Sequence, residues 1–213
     1  REATCYHTFC QSVIEHASRP VSFTPLTLNH LSFYTERHDD GSNEFIYPRF
    51  LVPYICNFEG YAIYVDGDMI VEADIWKLLD YVQKDKAVSV VKHNYKTKAR
   101  VKYLGNPNVD YPRKNWSSVI VWNCSHYKNR MLCPAFIEDH TGSFLHRFEW
   151  LEDSEIGEIP LDWNFLVDEY DKPSTTPALI HYTLGTPCFA DYSNCDYSDR
   201  WRYFHLRSLD GNE

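Results

Sequence analysis

The sequence predicts an α/β protein built on a mostly parallel sheet, and three observations carry that prediction. Short apolar, β-prone runs alternate with helix-forming stretches along the chain. One run, Ala62-Ile63-Tyr64-Val65, ends in Asp66-Gly67-Asp68 and resumes as Met69-Ile70-Val71. A strand stopping there presents carboxylates at its carboxyl end, where open α/β sheets bind ligands. Finally, the chain starts with a helix pattern followed by a strand pattern, which implies a first strand upstream of Arg1. The 213 residues, 44% hydrophobic, suffice for one domain, read as residues 1–213.

Ala3, Tyr6, Cys10, Val13, Ile14 and Ala17 fall on one face of an opening helix. Pro20 stops it, and Val21 to Leu26 alternates like a strand. Residues 36–44 form a polar loop. Phe45 to Phe58 is apolar and helix-like, interrupted by Pro48 and Pro53. After the strand ending at Asp66, Asp74 caps a helix through Val82 with Ile75, Leu78, Leu79 and Val82 as its stripe. Ala87 to Val91 and Ser117 to Trp122 read as strands, separated by a long polar loop from Asn94 to Lys114. Ser125 to His140 holds short helices around Pro134. Trp163 to Val167 and Ala178 to Thr183 are short strands.

A net charge of −9 argues against general binding to nucleic acid or to anionic membranes. No apolar run approaches the roughly 20 residues a membrane span needs, and no signal-peptide pattern occurs. Seven cysteines without a C-x-x-C pair read as reduced, mostly buried thiols of a cytoplasmic protein. The aromatic share of 16% suits both a core and the stacking floor of a sugar site. Trp116, Trp122, Trp150 and Trp163 read first as core.

Asp66 and Asp68 offer oxygen ligands of the kind that hold Mg²⁺ or Mn²⁺ and leave coordination positions for phosphate oxygens. A strand running into an acidic surface turn gives the same pattern. Gly67 between them permits a tight turn. Lys92 and His93, at the end of the next strand, line an acceptor cleft by the same topological argument. His146-Arg147 fits either contact with an acidic acceptor or a helix C-terminus.

Five segments in one order resemble the family-8-like GT-A glycosyltransferases of bacteria, over residues 1 to about 205. They are Tyr47-Pro48-Arg49-Phe50, the Asp-x-Asp strand with Ile75-Trp76-Lys77-Leu78-Leu79 behind it, Asn115-Trp116-Ser117-Ser118-Val119, Ile159-Pro160-Leu161-Asp162-Trp163-Asn164, and Ile180-His181-Tyr182-Thr183-Leu184-Gly185-Thr186-Pro187. The resemblance implies a Rossmann-like α/β/α sandwich and transfer of a hexose from a nucleotide-diphosphate sugar, with uridine the usual base, to a glycan or other hydroxyl acceptor with retention. It implies metal ligation by Asp66, Asp68 and His181, and donor contacts from Arg49, Asp66, Gly67, Asp68 and Asn115. An imidazole ligand favours Mn²⁺ over Mg²⁺.

The chain departs from the pattern in three places. Thr186 stands where the family often has a diphosphate-contacting Lys, leaving Lys92, Arg113 and Lys114 as the nearest cations by chain position. Asn115 is one residue early, with Ser118 in place of a Gly. The family's Asp-Gln-Asp segment aligns only with Glu152-Asp153-Ser154, making Asp153 the candidate catalytic group, against the plainer reading of a charged surface. Two rival functions remain open. One is a non-catalytic nucleotide-sugar-binding paralogue. The other is a phosphatase of the haloacid-dehalogenase type, whose later acidic pair is not found.

Overall fold

The computed structural model of the protein describes residues 2–38 and 46–209. Five α-helices and seven strands lie among them. In chain order they are α1 (Glu2–His16), α2 (Val52–Ile55), β1 (Tyr61–Val65), β2 (Met69–Val71), β3 (Val88–Val90), β4 (Val119–Asn123), α3 (Pro134–Asp139), α4 (Gly142–His146), β5 (Ile156–Glu158), β6 (Phe165–Leu166), β7 (Leu179–His181) and α5 (Ser198–Leu209). Single turns of 3₁₀ helix fill many of the connections. No helix among the described residues is long and apolar enough to cross a membrane.

The class is the predicted α/β, but the strand directions correct the expectation of a mostly parallel sheet. One sheet has the order β1-β4-β3-β5 and a second has the order β2-β7-β6. The β1–β4, β3–β4 and β2–β7 pairs are antiparallel, and only β3–β5 and β6–β7 are parallel. The physical reason is that alternation of strand and helix signals does not encode direction. Here β4 returns between β1 and β3 and pairs with both. A parallel neighbour requires a long crossover, and most helices between these strands are single turns.

Several elements follow their sequence signals. β1 ends before Asp66, and Asp74 caps its helix by accepting from the Trp76 amide. That helix, Ile75–Tyr81, is 3₁₀. The Phe45–Phe58 stretch splits at its prolines into a 3₁₀ turn, Pro48–Leu51, and α2; Phe45 itself and residues 39–44 of the polar loop lie outside the described residues.

Other elements differ. Val21 to Leu26 is extended but pairs with no strand among the described residues; a cavity separates it from the outer edge of β1. α1 is rotated from the predicted face: it buries Cys5, Phe9 and Val13 with Thr8 and Ser12, and leaves Ile14 exposed. The buried hydroxyls are satisfied. Thr8 donates to the Thr4 carbonyl at 2.9 Å, and Ser12 Oγ donates to the Phe9 carbonyl while accepting from the Val71 amide. That last bond ties α1 to β2.

Between β4 and α2 lies an aromatic core. Phe50 meets Trp122, Phe148 and Trp150 edge-on. Trp122, Trp150 and Trp163 are buried as predicted. The outer edge of β1 has no strand partner among the described residues. It faces a cavity of about 1360 Å³ bordered by α1, residues 20–27 and the Asp66-Gly67-Asp68 turn.

Candidate metal and donor site

The break between β1 and β2 builds the site. Asp66 ends the first sheet, its amide donating to the Ser118 carbonyl at 3.0 Å. Two residues on, the chain has crossed to the second sheet, where β2 pairs with β7 and Met69 stands opposite His181. The Tyr182 amide donates to the Asp68 carbonyl at 3.0 Å, extending that ladder by one residue. The register therefore brings together side chains far apart in sequence. His181 Nε2 lies 3.4 Å from Asp68 Oδ1. One ligand atom from each of Asp66, Asp68 and His181 falls within 4.8 Å of the others.

Each ligand is held by neighbours. Asp66 accepts from Tyr64 Oη at 2.6 Å and from Arg49 Nη1, which lies 3.0 Å from Oδ1 and 3.2 Å from Oδ2. Burial holds the Tyr64 phenol well above its ordinary value, so its proton stays in place to be donated. Arg49 is itself buried and anchored on the Ser117 and Ile46 carbonyls. His181 Nδ1 bonds Asn164 Oδ1 at 2.9 Å, and the Asn164 amide donates to Ser118 Oγ at 2.8 Å. The Asn164 oxygen accepts, so Nδ1 carries a proton and Nε2 faces the carboxylates.

Asp68 shows what the arrangement is suited to hold. Burial alone would raise its carboxyl, but the His181 imidazole and then the Lys102 ammonium hold it below the usual carboxylate range. Its Oδ1 is buried, and apart from His181 Nε2 at 3.4 Å no hydrogen-bond partner meets it among the described residues. An orphaned acceptor of this kind is the signature of a cation position. Asp66, Asp68 and His181 would hold such an ion, which would supply Lewis-acid chemistry there. Two carboxylates and an imidazole suit Mn²⁺.

The remaining predicted residues divide into two sets. Gly67 lies in the turn without a positive φ, and a Cβ there would come no closer than 4.0 Å to Tyr6 Cα, so the turn does not require glycine. Asn115, at φ 62°, sits beside the group: its amide donates to Tyr95 Oη at 2.9 Å and lies 3.5 Å from Thr183 Oγ1, while its carbonyl accepts from Asn164 and Ser118. His93 is buried, with Nδ1 on Tyr170 Oη at 2.9 Å and Nε2 without a partner among the described residues. Burial, reinforced by the charge of His181, pushes its imidazole down to about 3, so this ring is neutral.

Lys92 packs over the Trp116 ring, and no contact joins it to the carboxylates. Asp153 is exposed and paired with Arg113. Lys114 is buried on Asn108 Oδ1 and the Val109 carbonyl. Thr186 is buried too, its hydroxyl 3.3 Å from Cys5 Sγ and 2.9 Å from Cys188 Sγ. His146 Nδ1 bonds Ser117 Oγ at 2.6 Å, and burial holds that ring well below its ordinary value, so it is neutral and offers no charge to an acidic acceptor. Sequence reasoning missed the supporting roles of Tyr64 and Asn164. Asn164 was visible only as the last residue of the Ile159–Asn164 turn.

No family model matches the chain. Among solved structures, the bifunctional glycosyltransferase WbbM superposes with a TM-score of 0.64 at 17% identity, over 99% of this chain and 48% of its own. GlyE of Streptococcus pneumoniae TIGR4 gives 0.62 at 15% identity, over 96% and 57%. The galactosyltransferase LgtC, in complex with donor and acceptor sugar analogues, gives 0.61 at 11% identity, over 99% and 94%. The chain thus spans about half the length of the first two. At these identities the likeness shows a fold, the α/β GT-A-like one of glycosyltransferases. In sequence, Protein CDI of Arabidopsis thaliana is 41% identical over 210 residues, covering 94% of this chain and 81% of that relative. The chain belongs to the family of Protein CDI.

Proposed function

We propose that the chain is a divalent-metal-dependent glycosyltransferase that moves a hexose from a nucleotide-diphosphate sugar, with UDP as the nucleotide part, to a hydroxyl acceptor with retention. The observation that carries the reading is the meeting of His181 Nε2 with Asp68 Oδ1 beside Asp66, at the mouth of a cavity large enough for a nucleotide. The likeness in fold to LgtC, WbbM and GlyE supports it.

When bound, a Mn²⁺ ion supplies Lewis-acid stabilisation of charge on a leaving diphosphate. The chain's own residues do the rest. Asp66, Asp68 and His181 hold the ion. Arg49 and Tyr64 fix the Asp66 carboxylate, and Asn164 fixes the His181 tautomer. The apolar residues of β1 and α1 that border the cavity exclude water from the donor. His93, buried and neutral with Nε2 enclosed by protein, is given no step. Asp153 is given no step, since its carboxylate is exposed and occupied by Arg113. All seven cysteines are free, which fits the reducing conditions of a cytoplasm.

The test is turnover of a panel of UDP-sugars with Mn²⁺, read as donor hydrolysis or transfer to simple sugars. The reading predicts activity that disappears in Asp66→Ala while the variant stays folded. Full activity of Asp66→Ala in excess Mn²⁺ contradicts it. A second reading, a binding paralogue without turnover, is favoured by the burial of Thr186 and the exposure of Asp153. Tight UDP–Mn²⁺ binding without turnover of any donor selects it. A phosphatase needs an unencumbered nucleophile, whereas Asp66 is engaged by both Tyr64 and Arg49; release of phosphate from a generic monoester would be required to revive that reading.

A further inference from the structure

We propose that Lys102, delivered by the long 94–114 loop, is the cation that meets the donor's diphosphate. The inference rests on the reading of the site as a nucleotide-diphosphate site. It answers a charge problem that the site itself poses. Asp66 and Asp68 bring two negative charges to a place where a diphosphate must also sit, and the three cations nearest by chain position are engaged or distant. Arg113 is paired with Asp153, Lys114 is buried on Asn108 and Val109, and Lys92 lies on Trp116. Position 186 cannot serve either, since Thr186 is packed among Cys5 and Cys188.

The 94–114 loop is built to deliver a side chain. Its base is fastened to buried Glu169, which accepts from the Lys98 amide and from Asn108 Nδ2, each at 2.7 Å. Its tip is a tight turn closed by the Lys102 amide on the Asn106 carbonyl at 2.7 Å, with Leu104 at φ 59° and Gly105 at φ 77°. A non-glycine residue in the left-handed region stores strain that functional sites commonly hold. The turn is pinned onto the segment that follows His181. The Tyr103 amide donates to the Leu184 carbonyl at 2.7 Å, and the Tyr103 ring packs on Phe189 at 5.3 Å. Tyr103 and Leu104 border the same cavity as Asp66, Gly67 and Asp68.

The ammonium between these anchors has no hydrogen bond or direct ion pair among the described residues. It lies within electrostatic reach of Asp68, Asp66 and Glu169. Burial lowers it from its ordinary value, and those carboxylates oppose the shift. A partly buried cation without a hydrogen bond or ion pair among the described residues, beside a cavity that its neighbours Tyr103 and Leu104 share with Asp66 and Asp68, is placed to meet a third anion there.

The experiment measures Mn²⁺ alone by electron paramagnetic resonance, and UDP and uridine with Mn²⁺ by calorimetry, on the wild type, Lys102→Met and Lys102→Arg. The proposal expects Lys102→Met to weaken UDP about tenfold or more. Uridine binding is then unaffected, Mn²⁺ alone binds as well or more tightly, and Lys102→Arg retains most of the UDP affinity. Equal UDP affinity in Lys102→Met overturns it. So does parallel loss of UDP, Mn²⁺ and thermal stability, which marks a merely structural residue. A wild type that binds Mn²⁺ but no UDP defeats the donor-site reading itself, and Lys102 falls with it.

Discussion

Tyr64 and Arg49 grip Asp66 from two sides, while Asp68 keeps an oxygen bare; the two aspartates of one short motif are prepared differently. A group so held contributes orientation as well as charge, and removing its holder is felt by the ligand. Asn164→Ala frees the His181 ring to rotate. It is expected to lower Mn²⁺ affinity by about 10- to 100-fold, read by titration, with little change in unfolding temperature. His93 gives a test of the buried environment. Its folded value is pushed down to about 3, against roughly 6.5 in an unfolded chain. Between those limits the unfolded chain binds more protons, so stability present above about pH 6.5 is lost as pH falls toward 3, at up to about 1.4 kcal/mol per pH unit. Metal-free His93→Gln should show a shallower acid limb by about one proton in denaturant titrations. An unchanged limb contradicts a neutral His93. At this scale the sequence was readable where chemistry is concentrated. Asp66, Asp68 and His181, singled out from the sequence, lie close together, and Arg49, expected on the donor, lies on Asp66, whereas Tyr64 stayed hidden because a hydrogen-bond partner has no local pattern.

Elements place these residues through a few tight contacts. β7 carries His181 and is followed by a turn in which Gly185 leaves no room for a side chain: a Cβ there would overlap the Tyr192 ring. Gly185→Ala is expected to cost about 1–3 kcal/mol and to weaken Mn²⁺ binding by displacing the turn, measured by chemical unfolding and titration. Gly157, on β5, is constrained in the same way by Ser89 Oγ at 2.6 Å. The 94–114 loop depends on a single buried carboxylate. Glu169→Ala leaves the Lys98 amide without its acceptor and removes one of the two acceptors of Asn108 Nδ2, and should destabilise the loop by about 1–3 kcal/mol and open it to limited proteolysis. Protection equal to the wild type contradicts that anchoring role. Existence of elements was legible from apolar runs and prolines, but strand pairing was not. Val21–Leu26 has a strand's alternation but pairs with no strand among the described residues, and Ile156–Glu158 has a strand's pairing behind an acidic stretch that reads as surface.

At the scale of the whole molecule, two small sheets meet at one turn, and the turn is where charge and cavity converge. The first sheet supplies Asp66, the second Asp68 and His181, and the cavity along β1 opens onto both. The α/β class followed from alternation alone. The division into two mixed sheets did not, because direction is set by contacts between strands distant in the chain. That division explains why the motif sits at a junction: a single continuous strand would send Asp66 and Asp68 to the same face of one sheet, with no β7 alongside to bring His181 to them. The measurement that tests the account most directly is a Mn²⁺ titration of the wild type, Asp66→Asn, Asp68→Asn and His181→Leu, followed by electron paramagnetic resonance. The account predicts one ion per chain in the wild type and an affinity reduced about tenfold or more in each folded variant. Wild-type affinity in His181→Leu together with Asp68→Asn would contradict it.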